Sequence, residues 1–159
     1  MRTLILLRHG KSDWTGGEPD RLRPLARRGR RQVAVAGRWL ATNVGVIDLA
    51  VLSPAARTRE TWRLAAAELA VPPPVREDDR VYAGPASSLL AVVEELSAEL
   101  ATVVLVGHNP GVEDLAAGLT GRAVPMPTSA LAVIELSGPW SAAGDTTAEL
   151  RAEGRPPAG

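Results

Sequence analysis

His9 and His108 are the only two histidines in the 159 residues, and each closes an apolar run. Leu4-Ile5-Leu6-Leu7 leads into Arg8-His9-Gly10, and a run from Val103 leads into Gly107-His108-Asn109-Pro110. A third run, from Leu49 to Leu52, leads into Ser53-Pro54, with Arg57 four residues beyond Ser53. Arginine stays charged at any working pH and offers two parallel donors that match the oxygens of a phosphoryl group. A histidine held among arginines feels their charge, which lowers its pKa and favours the neutral ring. A neutral imidazole nitrogen is a nucleophile, and if the other nitrogen is tied to a backbone carbonyl, one lone pair faces the phosphorus. These residue types imply attack on phosphorus and a phosphohistidine intermediate that water then opens. Gly10 reads as the residue that lets the backbone turn sharply and approach a phosphate.

Other chemistries fit less well. Two histidines without a cysteine or a carboxylate at ligand spacing make a poor metal site, so neither a metal nor another cofactor is expected. The lack of cysteine also excludes a thiol nucleophile and disulfides. The 18 basic and 18 acidic residues cancel, and the pI is near 6.7. There is no global pull towards nucleic acid or an acidic membrane, so recognition of anions must be local. No apolar run approaches the roughly 20 residues needed to span a bilayer. A soluble cytoplasmic protein is the expectation.

The elements that position these residues follow from periodicity. RTLILL (2–7), DLAVLSP (48–54) and TVVLVG (102–107) are continuous apolar runs of the kind buried on both faces of a parallel sheet. Helical spacing of Val33, Ala36, Gly37 and Leu40 predicts an amphipathic helix from Leu25 to Asn43. A second helix should start near Pro54 and run to about Ala70. A third is expected from a Ser87 or Ser88 cap to Leu100, and a fourth over about 112–119. SALAVIEL (129–136) reads as a strand, with a last one near AELRAE. Alternating strands and helices predict a single α/β domain over 1–152, a three-layer α/β/α sandwich with a mostly parallel central sheet, and a flexible tail over 153–159. In such sheets ligands bind beyond the carboxyl ends of the strands, where both histidines and the Ser53-Pro54 turn fall.

LRHGKSDW, SPAARTRET and VGHNPG, in that order, resemble the motifs of the histidine phosphatase superfamily, and in particular its small bacterial SixA-type phosphohistidine phosphatases, over about residues 1–136. The resemblance implies a phosphoglycerate mutase-like fold, with His9 as the phosphorylated nucleophile. It implies that Arg8 and Arg57 clamp the phosphoryl oxygens and that His108 completes the pocket. Ser12 and Asn109 match polar positions near it, and Thr128, in MPTSALAVIEL, falls near the phosphate.

The acid that protonates a leaving alkoxide is open. Larger relatives supply a glutamate before a tyrosine in a stretch that DDRVYAG resembles, which makes Asp79 the candidate, beside Asp78, with Asp13 in reserve. A phosphohistidine substrate would need no strong acid. The short connections leave no room for an inserted lid, and a shallow exposed pocket suits a phosphoryl group presented by a protein. The substrate is therefore expected to be a phosphorylated protein carrying phosphohistidine. The alternatives are a broad phosphomonoesterase for small phosphate-containing molecules and a non-catalytic phosphate- or phosphoprotein-binding module. The six arginines between Arg21 and Arg31 read as a solvated helix face or a docking patch for an acidic partner, and Trp14 and Trp39 read as packing.

Overall fold

The structure, a computed structural model, describes residues 1–158. Its sheet has six strands: β1 (Arg2–Arg8), β2 (Leu49–Leu52), β3 (Val75–Glu77), β4 (Thr102–Gly107), β5 (Leu131–Leu136) and β6 (Glu149–Gly154). Their order across the sheet is β3-β2-β4-β1-β5-β6. The first four in that order are parallel to one another, whereas β5 pairs antiparallel with both β1 and β6. Four helices cover the sheet: α1 (Arg27–Asn43), α2 (Ala56–Ala66), α3 (Ala86–Glu94) and α4 (Gly111–Thr120).

Side chains of a strand alternate between its two faces, so each buried strand feeds two cores. Leu4 and Leu6 of β1 join Val103 and Leu105 of β4 against α3 and α4. Ile5 and Leu7 join Val104 and Val106 against α1 and α2. The three layers of the phosphoglycerate mutase-like α/β sandwich follow from that alternation.

Several boundaries differ from the sequence reading. α1 begins at Arg27 and not at Leu25, and Arg21 and Arg23 precede it. α2 ends at Ala66, short of Ala70, and α3 ends at Glu94, short of Leu100. Pro85, not a serine, precedes α3, since proline's fixed φ suits a helix start without a side-chain cap. β6 continues to Gly154, past the boundary expected at 152, because Gly154 still pairs with Leu131 of β5.

The register matters most for the site. Arg8 of β1 lies opposite Gly107 of β4, and Leu52 of β2 lies opposite Val106. The next residues, His9, His108 and Ser53, therefore leave three adjacent strands at the same level. Gly10 contributes differently from the expectation: its φ is not positive, and a Cβ there would meet the Gly29 carbonyl oxygen of α1 at 2.8 Å. Its missing side chain seats the loop after β1 against the helix.

Candidate active site

The rings of His9 and His108 stand 5.2 Å apart, centroid to centroid, and each residue is only 7% exposed. His9 Nδ1 lies 2.7 Å from the Gly10 carbonyl oxygen. A carbonyl only accepts, so the neutral ring carries its proton on Nδ1 and leaves the Nε2 lone pair free. Ser129 backs the same residue: its N–H donates to the His9 carbonyl at 2.9 Å, and its φ of 63° is a left-handed conformation that a serine adopts at a cost of about 1 kcal/mol or more.

His108 is oriented by Ser53. His108 Nε2 and Ser53 Oγ are 2.7 Å apart, and Ser53 Oγ already accepts from the Ala55 N–H at 3.2 Å. If the serine hydroxyl donates to Nε2, the His108 proton sits on Nδ1, a buried nitrogen without an acceptor among the described residues. Burial pushes the His9 pKa down to about 4, helped by Arg57, Arg8 and Arg23 and opposed by the bond to Gly10. Burial also takes His108 down to about 3, with His9 and Arg57 adding to the drop. Both rings are neutral at physiological pH.

Arginines surround the pair. Arg8 donates to the Met126 carbonyl at 3.1 Å, and Arg57 donates to the Asp20 carbonyl at 2.8 Å and to its Oδ2 at 3.1 Å. The Nε atoms of Arg8 and Arg57 are buried and find no acceptor among the described residues. A buried donor left unpaired costs about 1–3 kcal/mol. Arg8, Arg57 and His108 thus surround His9 with positive charge and with nitrogens that lack a partner among the described residues, a setting that suits an oxyanion.

A third arginine belongs to this cluster. Arg23 is only 6% exposed and donates to Ser12 Oγ at 2.8 Å and to Asp20 Oδ1 at 3.2 Å. Its guanidinium also stacks over the Trp14 ring, 3.3 Å from the centroid. The expected solvated face therefore fails at Arg23, and the expected packing role fails at Trp14, which is 73% exposed. Pro24 breaks the chain before α1, and the Ser12–Leu25 bridge folds Arg23 inwards. That proline, splitting the arginine run in two, was the available signal.

Asp20 had no sequence signal, yet it joins both Arg57 and Arg23 and accepts from the Tyr82 hydroxyl at 2.6 Å. The Tyr82 bond, supported by Arg57 and Arg23, holds the Asp20 carboxyl down at about 2 against burial, which pushes it up. Tyr82 packs edge-on to His108, with centroids 5.6 Å apart.

The remaining sequence candidates divide. Ser12 is brought in through Arg23. Asn109 donates to the same Met126 carbonyl as Arg8, at 2.9 Å. Thr128 lies next to Ser129 but spends its hydroxyl on Gln32 and Arg155. Asp79 turns to solvent, its side chain 90% exposed and paired with Arg21 at 3.3 Å. Asp78 is bound to Arg80, and Asp13 to Thr15. Among the described residues, no group of three or more histidine, cysteine or carboxylate side chains is arranged to hold a metal, and no helix is long and apolar enough to cross a membrane.

Comparison with known proteins decides the family. The profile of the histidine phosphatase superfamily (branch 1) matches residues 4–81. An uncharacterized protein of Mycobacterium leprae is 34% identical over 158 residues, covering 91% of this chain and 96% of the relative. The chain belongs to the histidine phosphatase superfamily. Within that superfamily of phosphatases its likeness is to the SixA type. A protein from Nakamurella multipartitia, provisionally named phosphohistidine phosphatase SixA, superposes with a TM-score of 0.88 at 29% identity, covering 98% of this chain and 96% of that one. A provisionally named SixA from Agrobacterium tumefaciens gives 0.84 at 26%, with 98% of each chain covered.

Proposed function

We propose that the protein removes phosphoryl groups from phosphohistidine on protein surfaces, with His9 as the transient acceptor. The observation that carries this reading is the fixed His9 tautomer: Nδ1–H is held by Gly10 and Nε2 is free beside His108 and three arginines. Nε2 attacks the phosphorus of a substrate ring that has taken a solvent proton on its other nitrogen, so that the P–N bond breaks to release neutral imidazole. Water then opens the P–N bond to His9 and releases inorganic phosphate. Arg8 and Arg57 hold the phosphoryl oxygens, and the His108 Nδ1–H donates to the charge that develops on them.

The carboxylates support this substrate class. An alkoxide leaving group needs a positioned acid, whereas a phosphohistidine ring protonated from solvent on its other nitrogen, where an ordinary imidazole titrates near about 6.5, releases neutral imidazole without one. Asp20 is committed to two arginines and a tyrosine with its pKa near 2, and Asp79 points away into solvent. Neither supplies a proton to the pocket at neutral pH. No cofactor enters this scheme.

The test compares turnover of a phosphohistidine-bearing protein with that of aryl and sugar phosphates, together with rapid quench using labelled phosphoryl donor. The expected result is label on His9, lost in His9→Ala, and a higher kcat/KM for the protein. Faster hydrolysis of the small esters would assign a small-molecule phosphomonoesterase instead. Turnover surviving in His9→Ala would refute the covalent route.

A further inference from the structure

The surface beside the pocket carries charge that the chemistry above does not use. α1 holds five arginines and no acidic residue in its seventeen positions, although the chain as a whole is neutral. Helix electrostatics favours acids in a first turn, yet Arg27 and Arg28 stand there and Ala26 offers no side-chain cap. Local helix stability therefore gives no reason for this composition.

Arg28, Arg31, Val35 and Arg38 recur at three- and four-residue spacing and so share one face of α1. That face forms one wall of a groove of about 840 Å³, and Arg155, Pro156, Pro157 and Ala158 form the other. Ala34 and Val35 add apolar lining between the charges. All four arginines are exposed. Arg38 reaches Glu68 at 3.4 Å, whereas Arg28 and Arg31 make no ion pair among the described residues.

The groove opens next to the pocket. Arg155 donates to the Thr128 carbonyl at 3.0 Å, and Thr128 precedes the Ser129 whose N–H holds the His9 carbonyl. Gln32, a groove residue, accepts from the Lys11 N–H at 3.4 Å, two residues after His9. A ligand lying along α1 thus ends at the loops that carry the nucleophile.

We propose that this groove docks an acidic segment of the phosphoprotein substrate, with Asp or Glu side chains meeting Arg28, Arg31, Arg38 and Arg155 and small apolar side chains resting on Ala34, Val35 and the prolines. This rests on the phosphoprotein reading and adds the surface that selects the partner. Exposed charges of this kind act through encounter and KM and weaken as salt screens them over about 8 Å at physiological ionic strength.

The test uses the full chain and the double variant Arg28→Glu/Arg31→Glu, whose substitutions are on the surface. Binding of a fluorescent Glu/Ala-rich helical peptide is followed by anisotropy, and kcat and KM are measured on an acidic phosphohistidine protein and on a small phosphoramidate. The peptide should bind the parent chain and weaken by about tenfold in the variant and in high salt. KM for the phosphoprotein should rise by a similar factor, with the small phosphoramidate unchanged within about twofold. Equal peptide binding by both chains, no binding by either, or tighter binding of a single-stranded oligonucleotide than of the peptide would overturn the proposal. If the parent chain cleaves the small phosphoramidate but no phosphohistidine protein, the phosphoprotein reading fails, while the peptide still reports separately on the groove.

Discussion

Lowering the pH from about 7.5 to about 5 should weaken the fold by about 4 kcal/mol, and nearly all of that loss should pass through His9 and His108. The folded protein keeps both rings neutral, His9 down to a pKa of about 4 and His108 to about 3, because burial and the neighbouring arginines penalise the imidazolium. The unfolded chain takes up both protons as the pH falls through about 6.5. Stability is therefore complete above 6.5 and is lost as the pH falls towards the folded values. At pH 5 the linkage amounts to about 2 kcal/mol for each ring, or roughly a thousandfold in the folding equilibrium for the pair. Asp20, with its pKa near 2 against an ordinary 3.8, contributes almost nothing above pH 5, so this window reads the two histidines. The assay is urea unfolding at both pH values in buffers free of phosphate and sulfate, on the parent chain and on His9→Gln/His108→Gln. The parent should lose about 4 kcal/mol and the double variant less than about 1. A parent curve that does not move, or a double variant that loses as much as the parent, would refute the electrostatic account of the site.

Four further outcomes follow. Arg57→Ala should weaken vanadate or phosphate binding by tenfold or more, about 1.4 kcal/mol or above, as titration calorimetry would show. Arg23→Met removes a buried guanidinium that lowers the His9 pKa, so the acid limb of kcat/KM should move upwards in pH; an unmoved limb would separate Arg23 from the site. Asp20→Asn should bring the pKa of Tyr82, the only tyrosine, down from its raised value, since the bond to Asp20 is the first cause of that rise; the ultraviolet phenolate signal reads it directly. Gly29→Ala places a Cβ where the Lys11 carbonyl oxygen would be 2.1 Å away, and it should cost about 1–3 kcal/mol and lower Tm.

The strand ends carrying His9, His108 and Ser53 were legible because buried parallel strands are continuous apolar runs and the residues that stop them stand out. Their level alignment was not legible: it is a property of the β1–β4 and β2–β4 registers, which no local pattern encodes. Arg23 was misread because a single helix face over the whole run ignores Pro24, which separates Arg21 and Arg23 from the helix that follows. The inward turn itself comes with the tertiary bridge between Ser12 and Leu25, which no local pattern encodes. Asp20 was missed because its partners Arg57 and Tyr82 lie 37 and 62 residues away. Gly10 was recognised as necessary for the wrong reason. Its smallness serves a close approach to Gly29, and that contact depends on where α1 packs.

The charges gathered at the pocket also bear on which substrates it favours. Arg8, Arg23 and Arg57 bring three positive charges, Asp20 returns one negative charge, and the histidines are neutral. The balance of about two matches a phosphoryl group of about −1.5 to −2. Asp20 thus has two effects that cannot be separated. It tempers the positive field around His9, which would otherwise bind the product phosphate more tightly. The same arginines and the tyrosine that hold Asp20 in place keep it ionised, so a carboxylate at this position with these partners cannot also serve as the acid for an alkoxide. A phosphoramidate escapes the conflict because its leaving nitrogen needs no such acid. Under the proposed function, the charge balance of the pocket and a preference for a nitrogen leaving group would both follow from this one ion-pair network.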